Sequence, residues 1–83
     1  VSDGIEWFKS QNLWEENTYT PNPGDIIFFD WEADGKPNHV GIVERVDNDI
    51  VYTIEGNSTD GICRQKEYSI YNEVIYGYGI LRY

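Results

Sequence analysis

The 83 residues carry 40% hydrophobic and 16% aromatic side chains and a formal charge of −9, fifteen acidic groups against six basic ones. That length holds one core and excludes a second domain, the aromatic content excludes a disordered chain, and the acidic balance disfavours nucleic acid or an anionic membrane surface as a partner. One cysteine, Cys63, and one histidine, His39, allow neither an internal disulfide nor a His/Cys zinc site.

No apolar run approaches the roughly 20 residues of a membrane-spanning helix. The sequence starts at Val1 without methionine and reads as a piece of a longer protein. Ser2 or Asp3 can cap a helix over about Gly4 to Asn12, with Ile5, Trp7 and Phe8, then Leu13 and Trp14, near helical spacing. On that spacing Trp7 and Trp14 read as core. "TPNPGD", Thr20 to Asp25, is a turn, and the unbroken run "IIFF" predicts a strand over 26–30 buried on both faces. A polar loop, Glu32 to Asn38, leads to strands at 39–46 and 50–56, which form a hairpin. After the turn "STDG" come strands at 62–70 and 74–82, the last alternating glycine with tyrosine. The result is one helix followed by five antiparallel strands, an α+β domain over residues 1–83.

The hairpin carries the chemistry. A three-residue loop, Asp47 to Asp49, would set Val46 against Ile50, Gly41 against Glu55 and His39 against Asn57. His39, Glu55 and Asn57 then share one face, while Val40, Ile42, Val46, Ile50, Tyr52 and Ile54 make the other and are the expected core face. A two-residue loop would separate His39 from Glu55. An imidazole beside a carboxylate and a carboxamide is the orienting half of a nucleophile relay, because one ring nitrogen donates to the acceptor and the other is left to take a proton. A strand-end histidine with partly exposed polar neighbours fits the same spacing.

Four ordered motifs, "NPGDIIFFDW", "NHVGIVERV", "YTIEGNS" and "IYGYG", resemble the CHAP family of cysteine/histidine-dependent amidohydrolases and peptidases, over nearly the whole chain. The resemblance implies a papain-like, NlpC/P60-type α+β fold with a half-barrel of strands, and cleavage of amide bonds in bacterial peptidoglycan, outside the cell or in the wall. It implies His39 as catalytic base, Glu55 and Asn57 as its orienting partners, and Trp31 as an aromatic of the substrate groove or, equally, a ring that closes the barrel. No cofactor or metal is implied for this chain. The acidic loop at Asp30, Glu32 and Asp34 has Gly41 where an EF-hand requires glutamate.

The departure from the family concerns the nucleophile. Nothing from Val1 to Gly24 is cysteine; Ser2, Ser10, Thr18 and Thr20 lack the family context, and Cys63 matches a strand. The expected cysteine therefore lies upstream, and the chain is the C-terminal part of an amidase or endopeptidase, inactive in isolation. The peptide of peptidoglycan is the expected partner. Without the upstream helix, Val43, Val51 and the "IIFF" strand would be bare and prone to self-association. The rival function is a non-catalytic SH3-like barrel that binds wall peptide or a protein.

Overall fold

The computed structural model describes residues 2–32, 34–56 and 63–81. The elements are helix α1 (Ser2–Ser10) and strands β1 (Trp14–Glu16), β2 (Ile26–Phe29), β3 (His39–Asp47), β4 (Ile50–Gly56), β5 (Cys63–Ser69) and β6 (Ile75–Gly79). All strand pairs are antiparallel, in one open sheet of order β1-β6-β2-β3-β4-β5. There are thus six strands where the sequence predicts five. The added strand exists because the helix stops early. Asn12 takes a left-handed conformation (φ 58°), its amide bonds the Lys9 carbonyl and that of Leu13 bonds the Phe8 carbonyl at 2.8 Å. This pair of bonds closes a helix C-terminus and turns Trp14 into β1, where it pairs with Gly79.

Two apolar layers lie on either side of the sheet. Ile5 and Phe8 of α1 pack on Phe28, with Leu13, Trp14, Ile26 and Tyr76 around them. On the other face Ile27, Phe29, Val43, Val51, Ile75 and Tyr78 are fully buried. The strand "IIFF" is therefore covered on both sides, as its unbroken apolar run predicts. Trp7, in contrast, is 53% exposed: Ile5 and Phe8, three residues apart, face the sheet, and Trp7 lies outside them with its ring edge-on to Phe8. Trp14 does pack, tilted against Phe28 and Tyr76.

The second layer exists because the sheet curls. In a flat sheet β2 and β5 would lie about 14 Å apart, three strand spacings, yet the rings of Phe29 and Tyr68 have centroids 5.0 Å apart. The concave face so formed is the main core. It carries Gly41, Val43, Val51, Thr53 and Glu55, whereas Val40 and Ile42, on the face expected to be the core, are 40% and 50% exposed. The face assignment from sequence is thus reversed, and Val43 and Val51 are not bare. A concave surface has little room, so β3 and β4 line it with small and β-branched groups against the large rings of β2 and β6.

The hairpin turn also differs. Asn48 and Asp49, both with positive φ (52° and 62°), form a two-residue turn, with Asp47 opposite Ile50, the twist that suits a tight hairpin. Taken alone, that loop would move Glu55 out of line with His39. A β-bulge between Val43 and Arg45 restores it: Val46 pairs with Val51, but Ile42 pairs with Ile54. The extra residue, Glu44, reaches Gln65 Nε2 at 2.6 Å, and both Val43 and Val46 face the core, which strict alternation over three residues forbids.

Tyr78 holds a buried hydroxyl that has no hydrogen-bond partner among the described residues. Burial, with the Asp25 charge adding to it, pushes this phenol up to about 12. Tyr78→Phe is expected to raise stability at neutral pH by about 1 kcal/mol, because an unmade buried hydrogen bond costs on that order. The alkaline limb should change too. The phenol's ordinary value is 10.0, so its contribution is complete below pH 10 and is lost as pH rises toward 12, where the unfolded chain releases the proton first. Urea titrations at pH 7 and across pH 10 to 12 check both effects, with the variant losing less stability over that window.

Candidate active site

His39 opens β3, opposite Phe29 of β2, and its ring lies 5.7 Å from that of Phe29. Ile42 pairs with Ile54, so Glu55, the next residue of β4, comes opposite Gly41 and reaches beneath the His39 ring. His39 Nε2 is 2.8 Å from Glu55 Oε1, with 28% of the histidine side chain exposed and 3% of the glutamate. The other carboxylate oxygen, Oε2, accepts the hydroxyls of Thr53 at 2.6 Å and Tyr68 at 2.7 Å. An ionised carboxylate offers acceptors only, so this chemistry assigns the ring proton to Nε2 and the free lone pair to Nδ1. Among the described residues none bonds Nδ1.

Gly41 makes this arrangement possible. A Cβ there would lie 2.8 Å from Glu55 Cγ, closer than side chains approach, and a tight 3.2 Å from the Ile54 carbonyl oxygen, which belongs to a paired strand. The glycine two residues after His39 is thus the space that the Glu55 side chain occupies. Gly41→Ala is expected to cost about 1–3 kcal/mol through overpacking and to push Glu55 off His39. Urea unfolding measures the first effect, and the His39 ring N–H signal reports the second.

Trp31 lies over the core rim, stacked on Phe29 at 4.8 Å with planes 3° apart. Its ring is 5.6 Å from His39 and 5.8 Å from Tyr68, and it remains 40% exposed. It therefore both closes the core and presents aromatic surface beside His39. The loop that carries it is tied down at each end. Asp30, buried, accepts the amides of Asp34 at 3.2 Å and Gly35 at 2.7 Å, its own amide bonds the Val74 carbonyl, and Asn38 Oδ1 accepts the Trp31 amide. Upstream, Asn22 to Asp25 form a Pro-Gly turn in which Gly24 has φ 94° and the Asp25 amide bonds the Asn22 carbonyl, a type II geometry. Buried Asp25 accepts the Asn22 amide and the Tyr19 hydroxyl, and its backbone carbonyl accepts the Val43 amide at 2.8 Å, which joins the turn to β3.

The residues singled out from sequence fall into separate places. His39, Glu55 and Trp31 converge. Asn57 lies outside the described residues. Cys63 is exposed and pairs with Gly56, on the face of Ile42 and Ile54 and away from the His39 side chain. Ser10 Oγ bonds the Trp7 carbonyl within the helix. Thr53 and Tyr68 were not anticipated. Strand alternation alone places Thr53 on the face of Glu55, but Tyr68 requires the β4–β5 register, in which it stands opposite Val51.

No curated protein and no solved structure matches the chain. A family model of the CHAP domain matches residues 1–57, a span that holds α1, the Pro-Gly turn, Trp31, His39, Gly41 and Glu55. With well over half its length matched by that model, the chain belongs to the CHAP domain family.

Proposed function

We propose that this domain is the base-bearing part of a peptidoglycan hydrolase with a papain-like, NlpC/P60-type arrangement, an amidase or endopeptidase acting outside the cell on wall peptide. The observation that carries the reading is the 2.8 Å contact of His39 Nε2 with buried Glu55, which leaves Nδ1 with a lone pair beside the exposed Trp31 ring. A pure binding module has no use for that alignment.

In this mechanism Nδ1 takes the proton of a cysteine thiol, and the thiolate attacks the amide carbonyl of the substrate. The imidazolium, held by Glu55, returns the proton to the leaving amine as the C–N bond breaks. Water, deprotonated by Nδ1, then attacks the thioester, and the free acid and thiol are restored. Cys63 faces away from His39 and does not serve as this thiol. The reading therefore places the nucleophile in sequence preceding Val1, and Trp31 along the path of the peptide.

Release of soluble muropeptides from purified wall, read by mass spectrometry, tests this for the 83-residue chain and for a protein extended upstream through a helix-borne cysteine. Cleavage by the longer protein alone, lost on His39→Ala, is the expected result, and product masses identify the bond. Cleavage by the short chain overturns the assignment of the nucleophile. Wall binding without cleavage by either form favours the SH3-like module.

A further inference from the structure

The family match ends at residue 57, yet the carboxylate that holds His39 is itself held from farther along the chain. Strand β5 is exposed at every residue from Cys63 to Ser69 except Tyr68. That half-buried side chain crosses the concave face, packs its ring 5.0 Å from Phe29 and 5.8 Å from Trp31, and ends with its hydroxyl 2.7 Å from Glu55 Oε2. The same oxygen takes the Thr53 hydroxyl, and Oε1 faces His39.

Three contacts from three strands fix the plane of a carboxylate. Thr53 is on the same strand as Glu55, so by itself it moves with the group it restrains. Tyr68 comes from the neighbouring strand and opposes rotation of the carboxylate about its last side-chain bond. We infer that Tyr68 is a positioning residue of this site: by donating to Glu55 Oε2 it keeps Oε1 on His39 Nε2 and so leaves Nδ1 as the base. The inference rests on the reading of His39 as the general base. Burial of the phenol, then its bond to Glu55 and the nearby negative charge, raise the Tyr68 pKa above its ordinary value, which preserves the proton that is donated. A purely structural Tyr68 would act through its ring alone, and Tyr68→Phe keeps that ring.

The chain's single histidine makes its ring N–H signal unambiguous in a ¹⁵N-labelled sample of these 83 residues. In the wild type the Nε2–H should be visible and slow to exchange with water, since its acceptor is buried. Tyr68→Phe is expected to speed that exchange about tenfold, in line with the loss of one hydrogen bond to a charged group, without change in the amide protection of β3 and β4. Thr53→Ser, which keeps a hydroxyl, should leave the exchange as it is. An unchanged Nε2–H in Tyr68→Phe overturns the inference. If that variant does not fold, the wild-type Tyr68 hydroxyl proton decides: a cross-peak to the Glu55 side-chain protons supports the assignment, and its absence overturns it. None of these readouts needs cleavage, so absence of cleavage by the upstream-extended protein beside a fast-exchanging Tyr68→Phe ring would reject the hydrolase reading while keeping Tyr68 as the residue that orients Glu55 on His39.

Discussion

Glu55→Leu is expected to lower the stability of the domain by about 3 kcal/mol, the upper end of what it costs to leave a buried donor without its acceptor. The carboxylate is 3% exposed and satisfies His39, Thr53 and Tyr68. Leucine fills the volume but accepts nothing. Thr53, fully buried, cannot reach water with its hydroxyl, and the cost of that orphan is the main part of the loss. His39, 28% exposed, can turn to solvent and adds little to that cost.

Glu55→Gln separates stability from chemistry. Its carbonyl can accept both hydroxyls, so the fold should lose only about 1 kcal/mol. The amide NH₂ then faces His39 and requires Nε2 as acceptor, which moves the ring proton to Nδ1. Urea unfolding should rank leucine well below glutamine, whereas the histidine ¹⁵N spectrum should show the inverted tautomer in Glu55→Gln. An unchanged tautomer there would mean that Glu55 does not orient the ring.

Gly77→Val should be comparably damaging, by about 3 kcal/mol, the upper end of overpacking costs, and through a different part of the fold. A Cβ at Gly77 would clash with the edge of the Trp14 ring and lie 2.8 Å from the Glu15 carbonyl oxygen. The ring could shift, but the carbonyl belongs to β1, whose Glu16 pairs with Gly77 itself. The valine has to open the β1–β6 pair, and with β1 goes the seat of α1, whose Phe8 occupies the corresponding space over Gly79. Hydrogen exchange should show lost protection in β1 and α1. The His39–Glu55 contact lies across the sheet from this layer, so its ring N–H signal should survive under conditions that leave the variant folded. Retained β1 protection together with unchanged unfolding would count against the tight seat.

How much of this could be read in advance differs from element to element. The both-sided burial of β2 follows from four apolar residues in a row, and the turn before it from Pro23 and Gly24. The early end of α1 does not, because Asn12 reads equally well as a last helical residue until its φ is known. The pairing of His39 with Glu55 was legible for a reason that fails in detail. The two-residue turn at Asn48 and Asp49 shifts the register by one, and the bulge at Glu44 shifts it back. Two local irregularities cancel, and neither has a composition signal strong enough to locate it.

From the residues alone came the α+β class, the family resemblance carried by the motifs around Gly24, His39 and Glu55, and the absence of any cysteine before Gly24, because these depend on residue identity and near-neighbour order. Only the tertiary structure decided which face of the hairpin is the core. Apolar count favours the face of Val40 and Ile42, but curling of the sheet brings β5 over β2 and makes the other face concave. There a buried carboxylate is tolerated because Thr53 and Tyr68 donate to it, and a partner that arrives from another strand through curvature leaves no mark in the spacing of the sequence.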